Sequence, residues 1–203
     1  ALFLNGIPII TSELKNQFTN QNISHSRWQY KNDRDPKAPI FQFKKRSLVH
    51  FAVDTDEVEM TTRLMGKNTF FLPFNKGHNG GAGNPPVEGK NRTCYLWEEV
   101  WQRDSILEIV QKFIFLQVEY IAVKGKEKPR KKETMIFPRY HQLGVVRRLL
   151  GACLQNGAGT NYLIQHSAGS GKSNSIAWLA HRLATLHDAE DKKVYDCVVV
   201  LTD

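Results

Sequence analysis

Two places in this 203-residue chain bring together side chains whose types and spacing suit chemistry. The first is His166-Ser167-Ala168-Gly169-Ser170-Gly171-Lys172-Ser173, set between an apolar stretch and an amphipathic one. A glycine-rich loop joining a strand to a helix can cradle a polyphosphate. Its glycines let backbone N–H groups turn inward, and the helix N-terminus adds partial positive charge. Ala168, Gly169, Ser170 and Gly171 form the turn, Lys172 is the point charge for the outer phosphates, and Ser173 offers a hydroxyl to Mg²⁺. His166 stands where the strict pattern has glycine. The second place is Glu13 and Lys15, two apart on a β-rich segment, so they share one face with Leu14 opposite. A carboxylate can hold Mg²⁺, and a neighbouring ammonium can stabilise an attacking hydroxide or a pentavalent phosphate. Taken alone, such a pair is more often an exposed ion pair on a strand.

Upstream of the loop lies Phe137-Pro138-Arg139-Tyr140-His141-Gln142. The glutamine amide matches the N6 and N7 edge of adenine, with Phe137 or Tyr140 available to stack. A glutamine placed ahead of a phosphate loop resembles the adenine-reading element of superfamily 2 helicases, and ATP is the nucleotide it implies. A motor of that kind also needs a metal-holding acid on a later strand and an arginine finger; the chain ends at Asp203 before either.

The elements that position these groups follow from pattern. Leu2–Leu4, Asn5-Gly6 and Ile7–Lys15 read as a hairpin, because Asn-Gly supplies the two positive-φ residues of a tight turn. A helix is expected around Ser24–Lys31. Strands are expected over Ile40–Val53 and Glu57–Leu64, on either side of a turn at Asp54–Asp56. Asn75–Arg92 is a glycine- and proline-rich loop. Trp97–Tyr120 reads as helical, with Ile106, Val110, Phe113, Ile114 and Gln117 at near-helical spacing. Lys124–Glu133 reads as a solvated basic linker. Beyond it come a helix over Tyr140–Leu154, a buried strand over Asn161–Gln165, an amphipathic helix over Lys172–Leu186 and a strand over Val194–Leu201. Strand, loop, helix, strand is a βαβ unit, which predicts a parallel sheet. Trp97, Trp101 and His50 read as core residues.

Composition sets the frame. The formal net charge is +8, which favours polyanionic partners. No apolar run is long enough to span a membrane, and no signal peptide opens the chain. The three cysteines, Cys94, Cys153 and Cys197, have no metal-ligand spacing and suit free thiols in a reducing cytoplasm. Both ends read as cut from a longer protein.

Longer stretches of the chain resemble the restriction subunit of type I restriction–modification enzymes. They are Asn5–Pro8 leading to Glu13–Asn16, Leu48–Asp54, Thr69–Gly77, Tyr95–Glu98, Phe137–Gln142 and the phosphate loop. The resemblance covers essentially the whole chain. It implies an α/β protein with an incomplete PD-(D/E)xK nuclease domain over 1–123, a basic linker over 124–134, and the start of a RecA-like, parallel-sheet superfamily 2 motor over 135–203. It further implies an ATP- and Mg²⁺-dependent endonuclease that translocates double-stranded DNA and cuts it away from the recognition site, beside modification (methyltransferase) and specificity subunits. This segment alone is expected to be inactive. By position, Glu13 and Lys15 become nuclease residues, with Glu13 and Ser173 as metal ligands. Gln29 matches the glutamine that leads a helix in the family; Asp33 stands four residues on, where the family often has Tyr, and Tyr30 is adjacent. The nuclease pattern also needs an upstream acid, and none lies between Ala1 and Ser12. Two other readings stay open: an ATP-driven translocase or remodeller without nuclease activity, and an inactive DNA-binding assembly module.

Overall fold

In the computed structural model, residues 1–122 and 129–201 are described. The chain divides into two compact units, Ala1–Phe137 and Pro138–Asp203.

The first unit is built on a mixed five-stranded sheet in the order β1-β2-β3-β4-β5. Strands β1 (Leu2–Leu4) and β2 (Ile7–Leu14) form the expected hairpin. Asn5 and Gly6 both take positive φ, 48° and 78°, as the two-residue turn requires. β2 then runs parallel to β3 (Val49–Val53), pairing Thr11 with His50 and Glu13 with Ala52. Parallel neighbours need a crossover, and helix α1 (Ile23–Asn32) lies within it. β4 (Val58–Thr61) and β5 (Leu72–Pro73) extend the sheet antiparallel. Residues 40–48 lie in turns and bends, so the strand expected from Ile40 begins only at Val49.

Asp54 explains how α1 is fixed to the sheet. Its Oδ1 accepts from the N–H groups of Asp56 and Glu57, closing the β3–β4 turn. Its Oδ2 accepts from Ile23 N, one of the orphan amides at the start of α1. Asn22 caps the same helix through Ser24 N. Every residue of β3 is buried, as befits a strand covered on both faces. On one face Ala52 joins Ile23, Tyr30, Leu64 and Phe71. On the other, Phe51 meets Phe74, Trp101 and Phe137 edge-on, with ring centroids 5.2, 5.5 and 5.8 Å away.

The long helix expected over Trp97–Tyr120 is replaced by three elements. A π turn at Leu96–Val100 leads to helix α2 (Arg103–Lys112), which stops at Phe113. Phe115–Ile121 is strand β6, paired antiparallel with β7 (Arg130–Ile136) in a two-stranded sheet. The basic linker is therefore corrected over its second half. Lys131 pairs with Glu133, and Lys132 reaches Glu119 across the ladder. The unit boundary falls between Phe137 and Pro138, later than the basic run suggests. The start of that run, at 124–128, lies outside the described residues.

The second unit holds helices α3 (Tyr140–Asn156) and α4 (Lys172–Ala184). They pack against each other, and Leu143, Val146 and Leu150 of α3 and Trp178 of α4 are buried. The strands expected over Asn161–Gln165 and Val194–Leu201 form no ladder among the described residues. Leu163 is 97% exposed and Leu201 91%, so these stretches lack the covering that a parallel sheet gives its strands. The parallel sheet is a correction to the sequence reading; the loop-to-helix step within it is present.

Candidate functional sites

In the first unit, Thr11, Glu13 and Lys15 lie at alternate positions where β2 runs along β3. Lys15 N donates to Val53 O at 2.8 Å, so the ladder continues through it. Helix α1 covers this face. Ser26 Oγ donates to the Glu13 carbonyl at 2.7 Å. The Tyr30 hydroxyl lies 2.9 Å from Thr11 Oγ1, and His50 Nδ1 lies 2.7 Å from the same oxygen. Burial lowers the His50 pKa to about 4 and pushes the Tyr30 phenol well above its usual range. A neutral imidazole accepting at Nδ1 lets Thr11 donate to His50 while accepting from Tyr30. This buried triad fixes β2, β3 and α1 in register beneath Glu13. His50 thus has a structural part, as expected of a core histidine.

Glu13 itself is engaged by a residue that the sequence did not single out. Arg34, just beyond the end of α1, places Nε and one terminal nitrogen each 2.6 Å from Glu13 Oε1. The two residues are 21 apart, and no local pattern signals such a pair. Gln29 lies on α1 between Ser26 and Tyr30, and its side-chain Oε1 is buried without a hydrogen-bond partner. Lys15 is half-buried and has no ion pair among the described residues.

The divalent cation expected at Glu13 needs hard oxygen donors. A carboxylate and an orphaned amide oxygen are hard oxygen donors, the chemistry Mg²⁺ takes, and Mg²⁺ is commonly held by one or two carboxylates with its remaining positions filled by water or substrate. Among the described residues there is no cluster of three or more His, Cys, Asp or Glu that could hold a metal. Glu13 therefore fits as a single ligand.

In the second unit the glycine-rich loop follows Gln165 without regular structure and turns at Ala168-Gly169 towards α4. Gly169 and Gly171 adopt φ of 71° and 80°, which favour glycine. Gly171 has a second reason to lack a side chain: a Cβ there would sit 2.5 Å from Gln142 Nε2. The Lys172 ammonium bonds the Ser167 carbonyl at 3.2 Å and the His166 carbonyl at 3.5 Å. Lys172, Ser173, Ala168 and Gly169 are exposed, and Ser170 is buried with its hydroxyl unpartnered.

Gln142 meets the loop, but not as a free adenine reader. Its Oε1 accepts from Arg139 N at 2.9 Å, and its Nε2 donates to Gly171 O at 2.8 Å and Ser170 O at 3.3 Å. With the residue 3% exposed, both ends of the amide are occupied. In this geometry Gln142 braces the loop against the start of α3, and pairing with adenine would require giving up those bonds. His141 adds a second brace, donating from Nε2 to Ser170 O at 3.1 Å. Its ring stands edge-on to His166 with centroids 5.0 Å apart. Burial is the main cause lowering the His141 pKa, and nearby His166 and Arg139 act in the same direction.

No helix among the described residues is long and apolar enough to cross a membrane. No protein-family profile matches the chain, and no solved structure matches it. Among curated proteins, one from Methanocaldococcus jannaschii, described as "Putative type I restriction enzyme MjaVIIIP endonuclease subunit", is 26% identical over 192 residues. The alignment takes in 88% of this chain and 16% of that protein, so the chain spans about a sixth of its relative's length. Over most of its own length, then, the chain is similar to the endonuclease subunit of a type I restriction enzyme.

Proposed function

We propose that this chain carries parts of two machines of a type I restriction endonuclease: the cutting site of a PD-(D/E)xK nuclease and the nucleotide loop of a RecA-like superfamily 2 motor. The reading rests on the presence in one chain of Glu13 and Lys15 on a strand under α1 and, separately, of a glycine loop opening α4. The similarity to an endonuclease subunit supports the cutting half of this reading. The substrate is double-stranded DNA, moved at the expense of ATP and cut away from the recognition site. Modification and specificity subunits are the partners in this reading.

At the cutting site, Mg²⁺ would polarise the scissile phosphate and supply hydroxide. Glu13 would hold it through its carboxylate. Lys15, on the same face of the strand, would place its ammonium against charge developing on phosphorus. The Thr11, Tyr30 and His50 triad keeps that face from shifting. In the second unit, Lys172 would exchange the Ser167 and His166 carbonyls for phosphate oxygens, which attract an ammonium more strongly. Ser173 would present its hydroxyl to the nucleotide's Mg²⁺, and Gln142 would hold the loop in the receiving shape.

Alanine at Glu13 or Lys15, in the subunit assembled with its partners, tests the reading. Each change is expected to lower DNA cleavage by about a hundredfold or more while leaving ATP hydrolysis unchanged. Normal cleavage by both variants would remove the nuclease assignment. Joint loss of cleavage, hydrolysis and thermal stability would reduce the two residues to a role in folding.

A further inference from the structure

The carboxylate that the proposed nuclease needs for its metal already has a cation on it. Both Arg34 contacts go to one oxygen, Oε1, each at 2.6 Å. Glu13 is largely sheltered, with 17% of its side chain exposed, whereas Arg34 is 36% exposed. The guanidinium is thus the more solvent-accessible partner of the pair. Its backbone is fixed meanwhile, because the amides of Asp33 and Arg34 both bond the Gln29 carbonyl, at 2.9 and 3.1 Å.

Arginine does not lose its proton at any pH a protein survives. The pair is thus not relieved by titration of its cation. It yields only to another cation competing for Glu13 or to an anion competing for Arg34. Gln29, on the helix that covers this face, has its side-chain Oε1 buried without a hydrogen-bond partner.

We propose that Arg34 is a positioning residue that occupies Glu13 in place of the divalent cation and sets the metal concentration at which the site loads. The proposal rests on the nuclease reading above. It makes the Glu13–Arg34 pair electrically neutral at rest, so that loading is an exchange of one cation for another on that carboxylate.

Mn²⁺ serves as the probe, its free concentration followed by electron paramagnetic resonance on the full chain without nucleotide. The parent is compared with Arg34→Met, Arg34→Gln, Glu13→Gln and the Arg34→Met/Glu13→Gln double variant. The Glu13-dependent site is the binding lost on changing Glu13 to Gln. Removing the competing cation should tighten that site about five- to tenfold, the order expected of a partly exposed ion pair. A residue with a merely structural part would weaken metal binding or leave it alone, so a gain is diagnostic. Arg34→Gln, which keeps a neutral donor beside Glu13, should give a gain in the same direction and covers the case in which the methionine variant does not fold. Equal Glu13-dependent affinity in the parent and the Arg34 variants would overturn the proposal and leave Glu13 as a metal ligand. Absence of any Glu13-dependent binding, in the parent and in the Arg34 variants alike, would overturn both the proposal and the metal role of Glu13.

Discussion

The two candidate sites each hold their key charge on a placeholder, and the placeholders differ in kind. Glu13 rests on a full positive charge, the Arg34 guanidinium, at 2.6 Å. Lys172 rests on two neutral carbonyls, at 3.2 and 3.5 Å. An ion–ion pair in a half-sheltered place resists exchange; an ammonium on exposed carbonyl dipoles is ready for any phosphate that arrives. The supports differ too. Glu13 is backed by a closed ladder and a buried triad, whereas the loop is braced from α3 by the side chains of Gln142 and His141. On this comparison the first site is rigid and gated by charge, the second adaptable and open.

The largest effect that sharpens the contrast is at Lys172. In the assembled subunit, Lys172→Ala is expected to lower ATP hydrolysis by about a hundred- to a thousandfold, the usual consequence of losing one electrostatic group near the transferred phosphate. DNA cleavage should fall with it, since in the proposed reading cutting follows movement. Wild-type cleavage alongside absent hydrolysis would show that the two sites work independently.

The rigidity of the first site is measurable through His50. Its imidazole is buried, with a pKa near 4 in the fold and about 6.5 unfolded. Above pH 6.5 both states are neutral and stability is at its full value. Between 6.5 and 4 the unfolded chain takes up a proton that the fold refuses, so stability falls as pH falls and levels off below 4. The integrated loss is roughly 3 kcal/mol, an order-of-magnitude figure from the shift. Urea unfolding of the parent and His50→Asn at pH 7.5 and 5 checks it. The pH-dependent difference should be present in the parent and much reduced in the variant; equal slopes would mean that His50 does not tie this face down.

The smallest expected effect concerns the loop brace. Gly171→Ala puts a methyl against the Gln142 amide at a positive-φ position, a strain of about 1–2 kcal/mol. Nucleotide affinity, followed with a fluorescent ATP analogue, should weaken about five- to thirtyfold. Shortening the brace with Gln142→Ala should restore part of that affinity in the double variant. Additive losses would show that the contact carries no coupling.

Much of this was written locally. Asn5-Gly6 announces the first hairpin, and the glycine loop announces α4 at Lys172. What failed did so where local pattern and tertiary pairing disagree. Ile114 and Gln117 continue the helical spacing of Ile106 and Phe113, yet β6 begins at Phe115 because β7 offers it a seven-residue ladder. Arg130 to Lys132 read as linker because a strand whose side chains face solvent shows no apolar alternation. The adenine edge of Gln142 is a sound inference from residue type, but its engagement with Arg139, Ser170 and Gly171 depends on folding. Arg34 was invisible for the same reason.

The parallel pairing of β2 with β3 has a consequence for how the protein reaches this state. Thr11 and His50 are 39 positions apart, while β1 and β2 meet across two. The hairpin can zip on a microsecond scale, but closing the longer loop carries an entropy penalty that no contact offsets until β3 docks. Helix α1, at ten residues, is too short to persist by itself in water. Helix, crossover and Glu13 face therefore form together and late. Substitutions at Thr11, Tyr30 or His50 are positioned to slow folding itself, which during synthesis leaves an open sheet edge exposed for longer.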